Sequence, residues 1–132
     1  MKQRLKKIDR LIKVQQHLHE SAELKLANLH RQESELKAAQ EETLQTMGDS
    51  DVLHGLFVDM LAKRLRTLSL EESRTQVAII EQKALTVEKA LQVKRTEKVY
   101  SRLKEDNRRG EEKKGLIAIL ESMAQKDSAS LP

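Results

Sequence analysis

The chain has 132 residues, 35% of them charged and only 2% aromatic, with a formal net charge of +4 and no cysteine. This excludes disulfide staples and thiol chemistry, and leaves Leu, Ile, Val, Ala and Met to do all the packing, which is poor material for an ordinary globular core. A chain rich in Ala, Glu, Lys, Leu, Arg and Gln and almost free of Gly and Pro suits long helices joined along narrow seams, and apolar residues at helical spacing separate it from disorder. The expected fold class is all-α: a long antiparallel two-helix coiled-coil hairpin with the second helix longer.

The first element is predicted over residues 2–47. Leu5, Ile8, Ile12, Leu18, Ala22, Leu26, Leu29, Leu36, Gln40, Leu44 and Met47 recur mostly at steps of three and four, and no Gly or Pro interrupts them. The N-terminal MKQRLKKIDRLIKVQQ is basic, and Asp9, Arg10 and Lys13 break it up before the apolar run of a signal peptide forms, so the N-terminus is expected to be retained. With no stretch long enough to span a membrane, a cytoplasmic location is expected.

Gly48-Asp49-Ser50-Asp51 is the predicted turn, with Gly48 suited to the left-handed position after a helix and Ser50 or Asp51 suited to cap the next one. A second helix is predicted over 52–127 from Leu53, Leu56, Met60, Leu61, Leu65, Leu68, Val77, Ile80, Ala84, Val87 and Leu91. Ser69-Leu70-Glu71-Glu72 matches the capping-box pattern and marks a place for a kink or restart. Folding the chain about residues 49–50 sets Ala39 by Met60, Ala22 by Val77, Leu18 near Ile80, Ile12 near Val87 and Lys2 level with about residue 97. On that register about thirty C-terminal residues overhang. They include the polar KEDNRRGEEKKG and the wholly apolar LIAIL at 116–120, and residues 128–132 read as a frayed tail.

Chemistry is sparse. His17, His19, His30 and His54 lack the helical spacing of a zinc site and read as solvated positions, and no phosphate-binding glycine loop occurs. Paired acids such as Glu71-Glu72 lie on helices without a concave pocket, so no catalytic, cofactor or metal site is expected and the protein is read as a non-enzyme. The first thirteen residues carry six cations against Asp9, a net +5. Such a patch fits an acidic protein surface or phosphate; nucleic acid and membrane surfaces fit less well, because aromatic and base-reading groups are missing.

The basic opening MKQRLKKIDRLIKVQQ, the single Gly/Asp corner and a longer second helix carrying KALQVKRTEKVYSRLKEDNRRGEEKK together resemble the flagellar export protein FliJ and its injectisome counterparts of the YscO type. The likeness covers the whole chain in layout, through weakly specific motifs. It implies a monomeric, non-enzymatic hairpin stalk at the membrane-peripheral export apparatus of type III secretion or flagellum biogenesis, similar to the coiled coil of a rotary ATPase γ subunit. Its partners would be the export ATPase hexamer, the export gate and, in some members, export chaperones. The ATPase end implied is Lys2, Arg4, Lys6, Lys7 and Arg10 with Lys94, Arg95, Lys98 and Arg102; the gate side implied is Phe57, Leu61 and Leu68, with Arg64 departing from the apolar pattern. The competing expectations are a self-associating structural coiled coil, suggested by LIAIL and by polar seam positions, and a basic nucleic-acid-binding coiled coil.

Overall fold

The computed structural model describes residues 2–49 and 55–130, with side chains through Asp127. Two helices account for nearly all of it: α1, Lys2–Gly48, and α2, Gly55–Ser130. They pack against each other as an antiparallel hairpin. Gly48 is the last residue of α1, and its φ is not positive, so it does not take the left-handed position expected of it. The chain leaves the helix through a tighter closing turn, the Asp49 amide donating to the Thr46 carbonyl at 3.3 Å. The proposed caps Ser50 and Asp51, and Leu53 and His54, lie outside the described residues. α2 passes through 69–72 without interruption, so the Ser69–Glu72 capping box is not used, and it continues to Ser130 where a frayed tail was expected. Ser is tolerated inside a helix whose other face is held by packing.

The two helices run through two compact units, one of residues 16–91 and one of residues 1–15 with 92–132. In the first, the inward positions of α1 are His19, Ala22, Leu26, Leu29, Glu33, Leu36, Gln40, Thr43 and Met47. On α2 they are Val58, Leu61, Leu65, Leu68, Glu72, Thr75, Ile79, Gln82, Thr86 and Lys89. Both sets alternate steps of three and four without a break, the heptad pattern of a coiled-coil seam. Ala22, Leu36, Thr43, Thr75, Ile79 and Thr86 are buried.

Much of this seam is polar, and most of its polar groups are bonded. Thr43, Thr75 and Thr86 donate their hydroxyls to the carbonyls of Ala39, Glu71 and Gln82, at 2.7, 2.9 and 2.8 Å. Each hydroxyl is thereby satisfied within its own helix and the side chain can be buried in the interface. The register is fixed by bonds across the pair: Gln82 Nε2 donates to the Ala22 carbonyl at 3.2 Å, and Gln40 Nε2 to Glu72 Oε2 at 2.5 Å, with the Leu68 carbonyl at 3.5 Å.

These bonds correct the expected register. Ala22 lies beside Gln82 rather than Val77, and Gln40 beside Leu68 and Glu72 rather than near residue 59. These pairings move the crossover beyond 49–50. They also correct the seam. Val77, Ile80, Val87 and Leu91 are exposed, Ile80 by 68%, as are Leu18, Leu44, Leu56 and Met60. Stepping from Leu68 to Val77 covers nine residues, about half a turn beyond whole turns at 100° per residue, so the apolar series crosses to the back of α2 there. The contact face keeps its count through Glu72, Thr75, Ile79 and Gln82 instead.

In the second unit the inward positions are Leu5, Ile8, Ile12 and Gln15 on α1, and Val93, Thr96, Tyr100, Leu103 and Asn107 on α2, with Ile12 and Val93 buried. Gln15 Oε1 is buried and has no hydrogen-bond partner. Lys2 shares a shallow hollow with Asp106, Asn107, Gly110, Glu111 and Lys114, so α1 begins level with about 106–114 and not 97. From Glu111 to Asp127 every residue of α2 is exposed. No helix among the described residues is long and apolar enough to cross a membrane.

Candidate partner-binding surfaces

All nine basic residues of the expected ATPase end lie in the unit formed by 1–15 and 92–132. That unit holds sixteen Lys and Arg against eight Asp and Glu, a net +8, while residues 16–91 hold nine against thirteen, a net −4. The division is sharper than the first thirteen residues suggest, because α2 contributes a second set of cations to the same unit.

Lys2, Arg4, Lys6, Lys7 and Arg10 are exposed on α1, and Lys94, Arg95, Lys98 and Arg102 on α2. Counted from the seam residues Leu5, Ile8, Ile12 and Val93, they fall on several outward positions of each helix, so positive charge surrounds the pair and does not form one stripe. Lys13 is partnered by Asp9 at 3.4 Å, whereas those nine cations pair with no carboxylate among the described residues. Lys94, Glu97, Lys98, Ser101 and Arg102 line an open hollow on α2. Exposed, unpaired cations keep their hydration and can exchange it for an acidic surface at little cost.

Farther along α2 the charges are internally paired. Glu105 accepts from Arg108 Nε and Nη2, at 3.1 and 2.6 Å, and from Arg109 Nε at 3.3 Å; Arg108 also reaches Glu112. The Arg108 hydrogen bond, which outweighs the opposing desolvation, holds the Glu105 carboxyl below its ordinary value, and the two carboxylates raise Arg108. The spacing of Glu105, Arg108, Arg109 and Glu112 at three and four residues is legible in the sequence as a helix-surface network.

The expected gate side divides. Leu61 and Leu68 are half-buried seam residues, so most of each side chain faces α1. Phe57, 36% exposed, stands one position before seam residue Val58, and its neighbours Leu56 and Met60 are more exposed still. Arg64, one heptad on from Phe57, is exposed.

One group lies outside the expected sites. Glu33, on the seam, accepts from Lys37 at 2.9 Å, and Gln76 approaches the same Glu72 that Gln40 bonds, at 3.4 Å. The hydrogen bond that Lys37 donates to Glu33, with that carboxylate's charge next, raises the Lys37 pKa, and Glu72 adds to it. This polar layer was hidden because a reading by apolar residues passes over Glu33 and Glu72; strict counting by heptads finds both.

Of the histidines, His17 and His19 approach Glu20 and Glu23, at 3.7 and 3.0 Å, and His19 is half-buried in the seam rather than solvated. Among the described residues no group of three or more His, Asp or Glu is placed to hold a metal ion. Comparison with protein-family models, with curated proteins and with solved structures finds no match to this chain.

Proposed function

We propose that the protein is a coiled-coil stalk of a type III export apparatus, flagellar or injectisome, whose basic unit binds the export ATPase ring and whose corner region contacts the export gate. The observation that carries the reading is the all-round distribution of unpaired cations on residues 2–10 and 94–102. A flat acidic partner needs one basic stripe; a partner that encloses the pair meets every outward face. Cationic surroundings speed and orient entry into an acidic pore, and binding within it relies on many exposed charges, none of them buried.

A stalk supplies no bond-breaking group. It acts by contacting one ring conformation more favourably than another, and such coupling is worth typically about 1–3 kcal/mol. In this reading the chain works as a monomer on the cytoplasmic face of the membrane, and export chaperones are additional partners. Phe57 is the contact offered to the gate, with Leu61 and Leu68 supporting it from the seam.

The test is capture of the cognate export ATPase and stimulation of its hydrolysis, compared between the native chain and one with Lys6, Lys7 and Arg10 all changed to Glu. Loss of capture and of stimulation with unchanged helicity is expected. Undiminished capture by the charge-reversed chain would remove the proposed ATPase end.

A further inference from the structure

Beyond the level of the α1 N-terminus, α2 continues with no helix against it. Leu116, Ile117, Ile119, Leu120 and Met123 are between 46% and 59% exposed. This band is wider than the two-position stripe that one seam uses. Gly110 and Gly115 have open space where a side chain would stand, so none of the described residues closes over the band from that side either.

We propose that this segment, residues 110–127, pairs antiparallel with the same segment of a second copy of the chain. The pairing that sets Leu116 opposite Leu120 of the second copy also sets Leu120 opposite Leu116, because a two-fold axis makes the contacts reciprocal. In an antiparallel coiled coil the positions flanking the core meet their own kind across the interface. In this register Ile119 meets Ile119 on one flank and Ile117 meets Ile117 on the other. The same register brings Glu112 beside Lys126 of the second copy, twice by symmetry. All five apolar side chains then gain cover: four as above, and Met123 beside the aliphatic stem of Lys113 of the second copy.

Charge complementarity selects this occupant. A parallel pairing brings Glu112 to Ile117 and joins no opposite charges at these positions. Glu112 already holds Arg108 on its own helix, and its carboxylate has a second oxygen for the lysine. The inference does not rest on the stalk reading, in which a single copy occupies the ring; the pairing is that of the chain free in solution.

The test is the mass of the full chain by sedimentation as a function of concentration, for the native sequence, Glu112→Lys, Lys126→Glu, an equimolar mixture of those two, and Leu120→Glu. The native chain is expected to rise from 15.2 kDa towards twice that value. Either charge variant alone faces like charges at both sites and should associate about ten-fold or more weakly. Mixing the two restores both opposite-charge pairs and should restore the dimer, and Leu120→Glu should abolish it with helicity unchanged. A native chain that stays at 15.2 kDa overturns the proposal and leaves the band to a partner of different sequence. Charge variants that dimerise as well as the native chain, or a mixture that fails to recover, overturn the antiparallel register.

Discussion

Residues 16–91 and the unit made of 1–15 with 92–132 use one helix pair for opposite purposes. The first is net acidic and places its polar groups inward, in threonines bonded to their own helix and in glutamines bonded across the seam. The second is net basic and places its charge outward on every face, with Ile12 and Val93 as its buried residues. A narrow seam can carry polar residues provided each finds a partner, and what they add is register. Charge on the outside adds little stability and is free to recognise something else.

The largest effect should come from emptying the acidic unit's seam. Leu36→Ala removes a buried leucine and should cost about 2–5 kcal/mol, read as a fall in the denaturation midpoint. Next, Gln40→Ala strips Glu72 of its cross-helix donor and should cost about 1–3 kcal/mol, since a half-buried carboxylate loses its partner. Hydrogen exchange should then accelerate in 16–91 and hardly at all at 92–107. A uniform acceleration would dissolve the distinction between the two units.

Smaller still is the stability effect of the Lys6, Lys7 and Arg10 reversal, expected within about 0.5 kcal/mol per site even as partner binding is lost. Phe57→Ala should likewise cost well under the ~3–5 kcal/mol of a fully buried phenylalanine. A large fall in melting temperature would make Phe57 part of the corner's core and leave the proposed gate contact without its anchor.

The smallest effect concerns pH. Arg108 lowers the Glu105 carboxyl from its ordinary value near 4.5, so the ion pair's contribution is present above the unfolded value and fades as pH falls through the lower folded one. Solvent screening of this partly exposed surface pair keeps its effect on stability slight. An NMR titration should place the Glu105 midpoint below 4.5 and return it towards that value in Arg108→Gln. An unchanged midpoint in the variant would remove Arg108 as the cause.

The hairpin, the longer second helix and the outward basic residues were legible from the sequence because they depend on what is scarce: Gly, Pro and breaks in a helical period. Register and seam were not. Two apolar stripes compete on α2, and the one rich in Val77, Ile80, Val87 and Leu91 is the more conspicuous. Threonine and glutamine at Thr75, Gln82 and Thr86 look like surface residues until their hydrogen bonds are seen. Leu61 and Leu68 already stand in the apolar series of the sequence, whereas the seam position next to Phe57, Val58 and not Leu56, required the partner helix.

Which face of α2 meets α1 decides which faces are left for any partner, and two adjacent isoleucines report on it. Ile79 is 5% exposed and Ile80 is 68% exposed. Denaturation of Ile79→Ala and Ile80→Ala, measured side by side, should show a loss of about 2–5 kcal/mol for the first and within about 0.5 kcal/mol of the native chain for the second. The reverse order, or equal losses, would contradict the seam and with it the placing of every outward residue.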